Sequence, residues 1–228
     1  MPSIDPIRRR WILGAGATAG LIAAVPALAQ IDAAKKSPLS ASERLMRDNA
    51  LTSRVLLLYA AAERRLGQGE DLESGIFLQA AEVMRDFVHG YHEKVEEEDV
   101  FPVFKKAGRM VDLVTVFQSQ HAAGRHLTDK ILAAAPGIAN ADQRKALTDA
   151  LHATVTLYGP SIAREGTDLL PTLRSLMTSN EFDALAQTLE KAEAEKLGAD
   201  GFEKAAKKVA AIEKNLGTHD LSQFAPKT

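Results

Sequence analysis

The sequence predicts an all-α protein, an antiparallel up-down four-helix bundle with a C-terminal helical extension. Three observations lead there. Aromatic residues are sparse at 5%, while long segments rich in Ala, Leu, Glu and Lys dominate. Apolar residues recur at helical spacing through four long segments joined by short connections, the pattern of an up-down bundle. No strand-like alternation of useful length occurs. The 228 residues suffice for one substantial domain, and 46% hydrophobic with 25% charged residues is ordinary globular composition.

The N-terminus reads separately. "RRRWILGAGATAGLIAAVPALAQ" runs from Arg8 through a mildly apolar stretch to Ala27-Leu28-Ala29. This is the charged, apolar and A-x-A pattern of an export signal, and the apolar run is too short to span a bilayer comfortably. Arg8-Arg9, one residue, then Trp11-Ile12 resembles a twin-arginine signal, with an ordinary secretory signal as the alternative. Residues 1–29 are therefore expected to be the export signal, 30–39 a linker, 40–178 the bundle and 179–228 the helical extension. A mature chain beginning near Gln30 is expected in the periplasm, with no membrane anchor left after cleavage. The absence of cysteine excludes disulfides and thiolate ligands, so any metal must be held by His and carboxylates. A formal net charge of -2 argues for neither nucleic acid nor an acidic substrate, and no nucleic-acid motif occurs.

The helices follow from their stop and start signals. Ser40 with Glu43 reads as a capping box opening a first helix to about Leu66, closed by Gly67 and Gly69. A second is expected from about Asp71 to Val100, ended by Pro102, and a third from Arg109 to Ala134, ended at Pro136-Gly137. Asn140 caps a fourth that ends near Pro171, with Pro160 expected to kink or restart it. Asn180 to Leu197 and Phe202 to Leu216 form two more, separated by Gly198 and Gly201.

Helical phase then sorts the polar residues. Asn49, His92, His121 and Ser161 each fall within an apolar stripe of one of the four bundle helices. Glu96 follows His92 by one turn, and Glu165 follows Ser161 likewise. A buried polar group without a partner costs roughly 1–3 kcal/mol, and a carboxylate more, so this cluster asks for a common partner. A bound cation is the simplest, and His and Glu at i, i+4 on facing helices build iron and manganese sites. Glu93, Glu97 and Glu98 lie around the cylinder from His92 and are expected in solvent, with Lys94 able to pair with Glu98. His126 and His152 are expected on the surface, His219 lies in the tail, and His89 stands where it can approach the site from its edge.

A repeat supports the cluster. Displaced by 69 residues, "SIAREGTDLLPTLR" sets Glu165 on Glu96, Asp168 on Asp99, Leu170 on Phe101 and Pro171 on Pro102. A solvated charge run has no reason to recur in register with its own stop signal.

The segments "YHEKVEEEDVFP", "QHAAGRHLTDKIL" and "YGPSIAREGTDLLPTLR" resemble bacterial hemerythrin-like (His-His-Glu cation-binding) domains. That resemblance implies a four-helix bundle holding non-haem iron, with His92, Glu96, His121 and Glu165 as metal ligands. It also exposes two departures: Ser161 and Asn49 stand where the family pattern has histidines. The ligands that remain suit one iron ion, or a weak di-iron pair, in a protein that binds or senses iron, dioxygen or nitric oxide. The alternative is a degenerate, metal-free bundle acting as a structural or protein-interaction module, its polar layer satisfied by hydrogen bonds of Asn49, Ser161 and buried water. A third reading is a ferritin-like oxidase, although no substrate is named by the sequence and paired full-ligand motifs are absent. Oligomeric state is not legible.

Overall fold

The computed structural model describes residues 38–225, so the expected export signal and most of the linker lie outside the described residues. Among the described residues, six helices carry the fold, with short 3-10 turns at Ala135–Gly137 and Leu221–Phe224 and no strand. The first, α1, is Ala41–Gly67. Its capping box forms as the sequence indicates. Ser40 Oγ accepts from the Glu43 N–H at 3.3 Å, and Glu43 Oε2 accepts from the Ser40 N–H at 2.9 Å. Gly69, at φ 81, turns the chain out of the helix end, a backbone conformation that glycine adopts without strain.

The second helix, α2, corrects the expected stop at Pro102. Helix Ser74–Val83 passes into a π-helical segment Met84–His92, a single turn Glu93–Val95, a second π segment Glu96–Val100, and then Phe101–Ala107. Proline has no N–H to donate into the ladder. The chain accommodates it by widening the preceding turn, with the Phe101 N–H bonding back to the Glu96 carbonyl, and keeps Pro102 in the first turn of the closing α segment. Gly108, at φ 62, ends the helix.

Helix α3 is Val111–Ala134. Helix α4 starts at Ala141, capped by Asn140 Oδ1 accepting from the Asp142 and Gln143 N–H groups, and runs through Pro160 without a break to Arg164. It then repeats the device of α2: a π segment Glu165–Leu169, then Leu170–Leu176 with Pro171 in its first turn. The expected end near Pro171 is thus overrun as well. The 69-residue repeat is this shared turn, a glutamate opening a five-residue π segment that a proline follows.

Helices α1 to α4 pack side by side, α1 and α3 each lying along α4, and α2 touching both α1 and α3. Phe77, Phe87, Phe101, Phe104 and Phe117 are fully buried among them. Each such ring contributes roughly 1.5–3 kcal/mol by leaving water. Helices α5 (Ser179–Leu197) and α6 (Gly201–Leu216) lie over α1 and α2. Arg47 stacks on the Phe202 ring at 4.0 Å, and Arg54 pairs with Glu213.

The α3–α4 approach is closest at Gly124. A Cβ there would stand 1.8 Å from the Tyr158 hydroxyl and 2.6 Å from its Cζ. Tyr158 is buried and rigid, so the helices, not the ring, would have to move. We expect Gly124→Ala to destabilise the protein by about 1–3 kcal/mol, as overpacked cores do. Urea unfolding would show this, and Gly124→Ala with Tyr158→Ala should recover part of the loss.

Candidate metal centre

All four inward-facing polar residues are buried, one per bundle helix: Asn49, His92, His121 and Ser161. The two π turns bring the repeated glutamates to the same layer. One donor atom from each of His92, Glu96 and Glu165 lies within 4.8 Å of the others, at the α2–α4 contact. His92 Nε2 is 3.7 Å from Glu96 Oε1, and His121 Nε2 is 3.5 Å from Glu96 Oε2. Glu96 therefore stands between two imidazoles. Phe101 stacks on the His121 ring at 5.5 Å and fixes its tilt.

The charge balance of this layer is uneven. Of the buried acids among the described residues, Asp48 pairs with Arg47 at 2.9 Å, Glu193 with Arg44 and Arg47 at 2.7 Å each, and Glu93 with Arg125 at 2.9 Å. Glu96 and Glu165 have no guanidinium or ammonium partner among those residues. Both Glu96 oxygens are buried without a hydrogen bond. Glu165 accepts from Asn49 Nδ2 at 2.6 Å. Burial, then the Glu165 charge, push Glu96 well above the usual carboxylate range, against the pull of His92. Burial likewise raises Glu165, with His92, the Asn49 hydrogen bond and the hydrogen bond that a protonated Glu96 donates opposing, so the pair can share a proton.

The histidines respond in opposite directions. Burial works against the charged form of His92, but Glu96, Asp48 and Glu165 outweigh it and push the imidazole up to about 10. His121 is lowered, because burial outweighs Glu93 and Glu97. Each ring also turns its outer nitrogen to a carboxylate: His121 Nδ1 to Glu97 Oε1 at 3.0 Å, and His92 Nδ1 to Asp48 Oδ2 at the longer distance of 3.8 Å. Arginines hold those carboxylates in turn, Arg125 on Glu97 and Arg47 on Asp48. Such outer partners orient metal-bound histidines and set which nitrogen is free.

The donor set fits a cation. Two buried carboxylates with no arginine or lysine partner among the described residues stand beside His92, and His121 approaches from the Glu96 side, outside the His92–Glu96–Glu165 group; a divalent ion there would meet donors of the right kind.

The two family-position departures sit beside this set. Asn49 spans it, its amide nitrogen on Glu165 and its Oδ1 3.1 Å from His92 Nε2. Ser161 turns away, its hydroxyl 2.9 Å from both the Leu157 carbonyl and Gln120 Oε1. His126 and His152 are exposed, His152 beside Glu63.

Glu93 corrects the sequence reading. Expected in solvent, it is buried between α2, α3 and α4, accepting from the Tyr158 hydroxyl at 2.7 Å and from Arg125. Burial raises its carboxyl, but His89, His121 and Tyr158 together hold it below the usual range. Glu97 is half-buried, and Lys94 pairs with it rather than with Glu98. His89 is buried too, bonded through Nε2 to Thr128 at 2.8 Å, with Nδ1 3.0 Å from Glu93. A signal for this second cluster was present: His89, Glu93 and Glu97 are spaced four apart, as are His121 and Arg125.

A model of the "Hemerythrin HHE cation binding domain" matches residues 40–173. Two uncharacterized proteins, one of Mycobacterium tuberculosis and one of Mycobacterium bovis, are each 39% identical over 191 residues, covering 83% of this chain and 75% of theirs. No solved structure matches.

The pKa directions fix a pH dependence. Without metal, Glu96 is raised from its ordinary 4.5, and His92 from 6.5 to about 10. Stability from a raised group is complete below its unfolded value and is lost as pH rises through the folded one. In chelator, Glu96 therefore makes the protein less stable as pH rises above 4.5, and His92 makes it less stable as pH rises from 6.5 to about 10. Glu96→Gln should flatten that fall, measured as urea midpoints at about pH 5 and about pH 8 in EDTA. A slope equal to wild type would show that Glu96 is not the strained group.

Proposed function

The chain belongs to the hemerythrin HHE cation-binding domain family, and on that premise we propose that it is an exported non-haem iron protein. His92, Glu96, His121 and Glu165 are its ligands, within an antiparallel up-down four-helix bundle. The observation that carries this reading is the Glu96–Glu165 pair, buried at 1% and 4% exposure with no arginine or lysine partner among the described residues, in a layer where the neighbouring buried acids have arginines. Iron bound there supplies a redox-active centre that can take a small diatomic ligand such as dioxygen or nitric oxide. The chain's own part is to hold the donors: Glu97 steers the His121 imidazole, and burial keeps water from Glu96 and Glu165. The role we assign is binding or sensing, in the periplasm, after export through the twin-arginine pattern at Arg8-Arg9.

A specific observation favours a second reading, a metal-free bundle. Asn49 already links Glu165 to His92, and Ser161 has its own partners, so part of the layer is satisfied internally. The two readings separate by metal analysis. Protein purified without chelator, then loaded anaerobically with Fe(II), should retain iron and melt at a higher temperature. A His92→Ala/His121→Ala variant should lose both effects. Iron retained equally by that variant, or none retained by wild type, would sink the iron reading.

Export has its own test. Replacing Arg8 and Arg9 by Lys should leave the full-length chain in the cytoplasmic fraction of a bacterium with a twin-arginine system. Undiminished arrival in the periplasm would point to the ordinary secretory route.

A further inference from the structure

We infer that the buried layer takes one metal ion and not two, because Arg125 already fills the second position with its guanidinium. The inference rests on the metal reading above and concerns its stoichiometry. The described residues hold two groups of donors whose atoms lie within 4.8 Å of one another: His92, Glu96 and Glu165, and Glu93, Glu97 and His121. His121 links them, its Nε2 3.5 Å from Glu96 and its Nδ1 3.0 Å from Glu97. By donor count alone, this is a layout for two neighbouring cations.

Their electrostatics differ. Among the described residues, the first group has no side-chain cation beyond its own histidine. In the second, Arg125 Nη1 donates to Glu93 Oε2 at 2.9 Å and Nη2 to Glu97 Oε1 at 3.0 Å. An arginine stays protonated at any accessible pH, and its fork matches two carboxylate oxygens. Arg125 stands four residues beyond His121 on α3, so the helix that offers the imidazole also delivers the cation beside it. Glu93 is further committed to the Tyr158 hydroxyl at 2.7 Å. A second divalent ion would have to expel the guanidinium from between these acids, or sit against its charge.

The remaining positions offer no compensation. Ser161 is turned to Leu157 and Gln120, and Asn49 is committed to Glu165 and His92. Arg125 is thus the residue that sets the metal count.

The test is metal stoichiometry. The full-length protein is equilibrated with excess Co(II) without oxygen, desalted, and read by native mass spectrometry with elemental analysis. Wild type should carry one cobalt per chain. Arg125→Met should carry two, a doubling that Glu93→Gln added to it should reverse. Arg125→Lys, which keeps the charge, should stay at one. Two cobalt ions on wild type would overturn the inference, as would one on an Arg125→Met protein with native circular dichroism. Should Arg125→Met not fold, Arg125→Gln takes its place with the same expected doubling. No cobalt on wild type would bring down the metal reading itself, and the inference with it.

Discussion

The constraint on which the rest of the structure depends is a pair of carboxylates, Glu96 and Glu165, buried close together with no arginine or lysine partner among the described residues. Taking even one such group out of water is costly, and a second like charge beside it adds repulsion. The fold meets that cost with shape and charge nearby. Phe101 and Phe117 close over the His121 side, their rings 6.3 Å apart and stacked. On the other sides, Arg44, Arg47 and Arg125 neutralise the remaining acids, so that the excess negative charge is confined to one spot.

The two glutamates stand opposite each other because of a backbone irregularity. Both open a π segment, Glu96–Val100 and Glu165–Leu169, and in both a proline follows in the first turn of the next α segment. A π turn adds a residue to the circumference and rotates the residues beyond it. In α2 it lets His92 and Glu96 face the polar layer while Phe101 and Phe104 still face the core. A straight α-helix carrying the same residues would trade one alignment for the other. The proline makes the wide turn cheaper, since it withdraws an amide that the α ladder would otherwise need. Wide turns of this kind gather at functional sites, and here the reason is visible in the side chains they align.

That device also explains which features the sequence disclosed and which it hid. The helices, both polar caps at Ser40 and Asn140, and the inward faces of Asn49, His92, His121 and Ser161 were legible, because each depends on local spacing. The repeat was legible as a pattern. Its meaning was not: Pro102 and Pro171 read as stops, since the usual consequence of proline is a broken ladder. Glu93 was misplaced for a different reason. Helical phase assigns a residue to one face of a cylinder, but it does not say how many faces other helices cover. Helix α2 is covered by α1 on one side and α3 on another, so Glu93, off the His92 stripe, is still buried. Only the partner residues, Arg125 and Tyr158, tell which acid of a charge run is inside, and they lie 32 and 65 positions away.

The two histidines show how this layer departs from symmetry. His121 sees Glu97, an acid whose charge Arg125 already shares, and burial keeps the ring neutral with Nδ1 toward Glu97. Its Nε2 lies 3.5 Å from Glu96. His92 faces Asp48, Glu96 and Glu165, of which only Asp48 has an arginine, and these acids push its imidazole toward the protonated form. An incoming cation and that proton answer the same deficit, so binding one must expel the other. Asn49 stands at this half of the layer, and an amide can hydrogen-bond the carboxylate and the imidazole without adding charge. A histidine at that position could instead be protonated or ligate. The substitution thus weakens the ligand set on the His92 side, and Arg125 closes the His121 side to a second ion. Between them stands Glu96, approached by both imidazoles and reached by no arginine among the described residues.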